Sequence, residues 1–169
     1  MKRILILLLV CVPVLVFGQK RKVKQANQDT DNWRYEIEMV SEGVNKSVVT
    51  KVWSYSTSVA VAMEQAKKNA VHAAIFKGIP GKESVNGKRP LVKGGDADEN
   101  SDFFKSFFAN GGDYMRYVTL TNSGALDSGD SMKVSKKEYR VGVYVSINYN
   151  ELRNYLQDKG IIKKLGSGF

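Results

Sequence analysis

Histidine and cysteine are nearly missing from this chain of 169 residues, which holds one of each, His72 and Cys11. A single imidazole excludes any metal site built on two or more histidines. Cys11 lies inside the N-terminal apolar run, so once that run is removed no cysteine is left. Disulfides, thiolate nucleophiles and Cys-ligated zinc or iron–sulfur centres are then excluded, even in an oxidising compartment. Proline is also scarce, at Pro13, Pro80 and Pro90, which leaves most of the chain free to form unbroken elements. Acidic residues are outnumbered, 17 against 26 Lys and Arg. The only long apolar run, Ile4 to Phe17, has 14 residues with Pro13 inside it, short of the roughly 20 that a membrane span needs.

What stands at the N-terminus instead is Lys2 and Arg3, then the apolar run, then Gly18, Gln19 and a basic cluster of Lys20, Arg21, Lys22 and Lys24. This is the layout of a secretory signal peptide over residues 1–18. Val16 and Gly18 suit the small-residue positions of the cleavage site and place the processed N-terminus at Gln19. Cys11 raises the alternative of a lipoprotein, but the residue before it is Val10 rather than Gly, Ala or Ser. The chain is therefore expected to be exported, to the periplasm or surface of a Gram-negative type of bacterium, with no transmembrane segment in its processed form. With Lys2 and Arg3 gone it carries a net charge of +7. That charge draws it to anionic surfaces such as lipopolysaccharide or cell wall, and nucleic acid is not expected in that compartment. Residues 19–31 are polar and basic and read as a tether.

The rest, residues 32–169, fits one domain with a core of its own. Trp33, Tyr35, Ile37 and Met39 alternate with Arg34, Glu36 and Glu38, the pattern of a half-buried strand. Gly43 and Asn45 offer a turn and Ser47 to Tyr55 a second strand, which together make a hairpin. Ser56, Thr57 and Ser58 can cap a helix running to about Phe76, with Val59, Ala62, Met63, Ala66, Ala70, Ala73 and Ala74 on its apolar side. Gln65, Lys68 and His72 are expected on its solvent side. Gly78, Pro80 and Gly81 end it, and residues 79–100 read as a mobile or functional loop. Asp102 can cap a short helix carrying Phe103, Phe104, Phe107 and Phe108. Tyr114 to Thr121 reads as a third strand, followed by a turn region from Asn122 to Ser131. Tyr139 to Ile147 is the clearest strand, and it leads into a helix with Asn148 and Glu151 as a capping box, Leu152, Tyr155 and Leu156 as the buried stripe and Gly160 past its end. The order β-β-α-α-β-β-α predicts an α+β, two-layer domain: an antiparallel sheet of about four strands with helices packed on one face.

Chemistry is hard to build from these residues. His72 has no Ser or Asp placed by sequence to make a relay, so a helix-surface role is expected rather than general-base catalysis. Asp96, Asp98, Asn100 and Asp102 alternate as calcium ligands do, but Ser101 stands where a calcium loop needs Gly and Phe107 where it needs Glu. A solvated acidic loop is expected. Glu36 and Glu38 share an exposed strand face with no placed partner, and no glycine loop has the strand-to-helix context for phosphate binding. No catalytic residue, cofactor or metal follows. The four phenylalanines fall in one sector of their helix and are expected to dock on the core, with a lid that meets a partner as the alternative.

Two segments resemble a known type of domain. AKKNAVHAAIFKG, from Ala66 to Gly78, and KEYRVGVYVSINYNELRNYL, from Lys137 to Leu156, look like the small exported domain of certain bacterial surface lipoproteins. Related folds are those of the flagellar assembly protein N-terminal domain and of penicillin-binding-protein activator lipoproteins. The resemblance implies assembly, scaffolding or protein binding in the envelope and supplies no catalytic residues. An envelope protein partner is therefore expected. Partner-binding candidates are Arg34, Arg140 and Tyr144 on the exposed sheet face, and Phe104 and Phe108 on the short helix. The alternative is a small-ligand or polysaccharide-binding protein that uses the same sheet face, with arginine donors and a Tyr144 stacking ring.

Overall fold

The computed structural model describes residues 33–94, 97–121 and 125–163. The leader, the tether and Asp96 lie outside the described residues. The fold is α+β with an open antiparallel sheet of five strands and three helices. In chain order the elements are β1 (Tyr35–Glu42), β2 (Val48–Ser56), α1 (Val59–His72), α2 (Asp102–Phe107), β3 (Val118–Leu120), β4 (Ser131–Ser135), β5 (Glu138–Ile147) and α3 (Tyr149–Asp158). The strand order is β1-β2-β5-β3, with β4 also paired to β5. β3 takes the Val145 to Ile147 end of β5 and β4 takes the Glu138 to Val141 end.

The alternating pattern decides which face is covered. Val48 and Val52 of β2 and Val141, Val143, Val145 and Ile147 of β5 are fully buried on the face that α1 covers, while Lys51, Trp53, Tyr55, Arg140 and Tyr144 take the other face. Alanines at 62, 66, 70, 73 and 74 are also fully buried, so α1 lies close against the sheet. Ser58 is its N-cap, its Oγ accepting from Val61 N–H at 3.3 Å. At the other end the helix widens into a π-turn over Ala73–Lys77 and stops at Gly78, whose φ of 82° is left-handed.

That widening frees the carbonyls of Ala74 and Ile75, which accept from Leu91 and Val92 N–H at 3.0 and 2.9 Å. The segment expected as a mobile loop is thus tied to the body: Ile79, Leu91 and Val92 are buried, Ile79 bridges Lys88, and Met39 N–H donates to the Pro80 carbonyl at 2.9 Å. Its Pro80 end covers part of the outer edge of β1.

Several local expectations need correction. Tyr114 to Thr121 is not one strand: Asp113–Tyr117 is a 3₁₀ turn that buries Tyr114 and Tyr117, and only Val118–Leu120 pairs. β4, in and beyond the expected turn region, is an added strand. Ser101, not Asp102, precedes the first residue of α2. Asn148 holds the N-cap position of α3 without a side-chain capping bond, so the capping box does not form. The far end of α3 does close as expected, with Ile161 N–H on Leu156 at 2.9 Å, Gly160 N–H on Gln157 at 3.0 Å and Gly160 at φ 71°. Among the described residues no helix is long and apolar enough to cross a membrane.

Candidate functional site

Two polar constellations stand out, one inside the fold and one on the open sheet face. The inner one corrects the placement of α1's polar side chains. Gln65, Lys68 and His72 are buried, not solvent-facing, and His72 has no exposed surface. Trp33 stacks on the imidazole at 3.7 Å between ring centres, and Phe76 and Phe108 pack around it. Both ring nitrogens are engaged. Nε2 lies 2.8 Å from a Glu99 carboxylate oxygen and Nδ1 lies 2.7 Å from the Tyr35 hydroxyl. A carboxylate only accepts, so Nε2 carries the proton and Nδ1 accepts from Tyr35 O–H. Burial pulls His72 down to about 4 against the opposing pull of Glu99, so the ring is neutral at neutral pH. Burial, with the Glu99 charge adding to it, pushes the Tyr35 phenol up and keeps it protonated. The arrangement resembles a relay but leaves no nitrogen to take a proton from a substrate, and its phenol is not activated. It joins β1, α1 and the Glu99 loop.

Beside it a cleft of about 420 Å³ is floored by Trp33, Phe104 and Phe108 and rimmed by Lys68, Glu99 and Lys105. Phe104 and Phe108 are 1% and 5% exposed, so as partner-binding candidates they are corrected to core residues that show only an edge to this cleft. Phe104 packs edge-on against Phe76 at 4.7 Å and Phe107 lies against Tyr155 at 5.8 Å. Of the acidic run, Asp98 accepts from the Asn100 backbone N–H at 2.8 Å and Asp102 approaches Lys105 at 3.6 Å. Among the described residues no group of three or more His, Cys, Asp or Glu is placed to hold a metal ion.

On the open face, the strand register brings Arg34, Arg140 and Tyr144 into one array. Tyr55 stands opposite Arg140, Trp53 opposite Gly142 and Lys51 opposite Tyr144. Cations and rings then alternate across the sheet: Arg34 over Tyr55 at 4.1 Å, Arg140 over Trp53 at 3.9 Å, and Lys51 over Trp53 and Tyr144 at 4.7 and 4.8 Å. Arg140 and Lys51 come from the rows on either side of Trp53, so the indole is held between them. Gly142 makes room for it, since a Cβ there would sit 2.5 Å from the ring. Each cation also has an acid, Arg34 with Glu138 at 2.8 Å, Arg140 with Glu36 at 2.6 Å and Lys51 with Asp130 at 2.6 Å. Hydrogen bonds from Arg140 and Tyr55 hold the Glu36 carboxyl below its ordinary range. Glu36 is therefore not an idle surface carboxylate, and Glu38 likewise meets Lys82 at 3.0 Å.

The spacing of Arg34, Arg140 and Tyr144 on outward strand positions was readable from alternation. The parts played by Lys51, Trp53, Asp130 and Gly142 were not, because they depend on which strand lies beside which. Comparison with protein-family models, curated proteins and solved structures finds no match to this chain.

Proposed function

We propose that this chain is an exported protein of the bacterial envelope, in the periplasm or at the cell surface, whose folded domain binds another envelope protein and performs no chemistry. The observation that carries the reading is the open sheet face. Six side chains, five from β2 and β5 and Arg34 from just before β1, are locked there into an array of alternating cations and rings. Pre-ordered side chains lose little freedom when a partner docks, which favours a protein contact. Arginine and aromatic residues are also the types that dominate such contacts. The engagement of His72 by Tyr35 and Glu99 supports a binding role over acid–base catalysis.

The test is affinity capture from detergent-solubilised envelopes. A stoichiometric protein partner is expected with the wild-type chain, and its loss with Arg140→Glu or Tyr144→Ala, each checked for folding. Polysaccharide or small-ligand binding is the second reading, favoured by the Tyr144 ring and the Arg34 guanidinium. The cations over Trp53 leave that ring less face for a sugar to stack on. Glycan-array binding without a captured protein would select it.

A further inference from the structure

We propose that the β4–β5 hairpin is a docking element for an anionic lipid surface. This rests on the envelope reading above and adds the surface that the domain meets. β4 is an open edge of the sheet: it pairs with β5 on one side only, and every one of its residues is exposed. It carries two large apolar side chains to water, Met132 at 54% and Val134 at 41% exposed. Val44 and Met115 are exposed elsewhere, but singly. Met132 stands opposite Arg140 on the open face, while Val134 sits where the β4–β5 register slips. Around them are Lys133 and, in the two-residue turn, Lys136 and Lys137, all exposed.

The charge arrangement separates this hairpin from the rest of the sheet. Arg34, Lys51, Arg140, Lys82 and Lys88 each have a carboxylate within an ion-pair distance. Lys133, Lys136 and Lys137 have none among the described residues. The nearest acids in sequence, Asp130 and Glu138, are taken by Lys51 and Arg34. Lysine on an edge strand also discourages pairing between copies. It does not account for two bare apolar side chains, Met132 next to Lys133 and Val134 between Lys133 and Lys136, a layout that suits a segment lying in a membrane interface, methyl groups among the acyl chains and ammonium groups at the phosphates. The basic residues 20–24 of the tether add a second attraction of the same sign. Both attractions act toward the same anionic surface and add to one another.

The probe is a vesicle of neutral phosphatidylcholine, with or without 30% phosphatidylglycerol, offered to the processed full-length protein. Because the processed chain has no other cysteine, Val134→Cys can carry an environment-sensitive dye at the hairpin. Expected results are sedimentation with the anionic vesicles alone, a blue shift of the dye, and reversal by salt. Lys133→Gln/Lys136→Gln/Lys137→Gln should cut binding on the order of 100-fold, at about fivefold for each lysine charge removed from an anionic surface. Thermal unfolding should be unchanged, which separates this variant from one that fails to fold. Sedimentation with a silent dye would assign binding to the tether and overturn the proposal. Equal binding to neutral vesicles, or none to either, would overturn it as well. Dimerisation that the lysine variant abolishes would assign the edge to a second copy instead. None of these failures touches protein capture by the open face, so the two readings stand or fall separately.

Discussion

At the scale of single residues, His72 carries the sharpest consequence. Its folded-state value of about 4 lies below the ordinary 6.5, so between those limits the unfolded chain binds a proton that the folded chain does not. Stability from this group is therefore complete above pH 6.5 and declines as pH falls toward 4. The full effect is about 3 kcal/mol at 1.4 kcal/mol per pH unit. Chemical denaturation at steps from pH 7 to pH 5 should show the fall, and His72→Gln should flatten it. Equal slopes in the two proteins would remove His72 as the cause. Gly142 makes the second residue-scale prediction. Alanine there places a methyl group against Trp53, so the indole must leave its slot between Arg140 and Lys51. A loss of about 1–3 kcal/mol is expected, with tryptophan emission shifted to the red.

At the scale of elements, α2 is a short helix whose rings belong to the core. Phe107 is 3% exposed and packs on Tyr117 and Tyr155, which ties α2 to α3. Phe107→Ala should cost about 3–5 kcal/mol in thermal unfolding, and Phe107→Asp more, because it buries a charge. A midpoint within a degree of wild type would show a loosely held lid. The elements that the sequence made legible are those whose period-two or capping signals are dense: the β1–β2 hairpin, β5, and the closing turns of α3. β4 was hidden although SMKVS alternates polar and apolar residues, because it is only five residues long, follows a stretch rich in Ser, Gly and Asp, and buries neither face. Tyr114 and Tyr117 are spaced by three and turn inward on a 3₁₀ turn, a spacing at odds with a strand. The polar stripe of α1 misled for a different reason. Side-chain polarity pointed Gln65, Lys68 and His72 outward, yet Trp33, Glu99 and Phe108 arrive from distant segments and cover His72. Nothing local to the helix records their arrival.

At the scale of the whole molecule, the reading joins an address, a tether and a folded domain. The processed protein is expected to start at Gln19 without acylation, and intact mass after export checks this. A chain starting at a lipid-modified Cys11 would turn the tether into a membrane-anchored stalk. Partner capture is expected to survive a chelator, because it is attributed to the open face rather than to a bound ion. Loss of the partner on chelation would bring the Asp96 to Asp102 segment back as a calcium loop.

The placement of β5 has a kinetic side. It is the last strand in the sequence and yet lies between β2 and the β3 and β4 pair, so the main seam joins Val48 to Ile147 and Ser56 to Tyr139. Such distant partners must find each other before the sheet can close, which makes folding slow compared with a helical bundle of this size. A chain translocated N-terminus first delivers β5 and α3 at the end. On the proposed export route the β1–β2 hairpin and α1 would wait for β5, the strand that completes their core, and the polypeptide would stay threadable until it arrived.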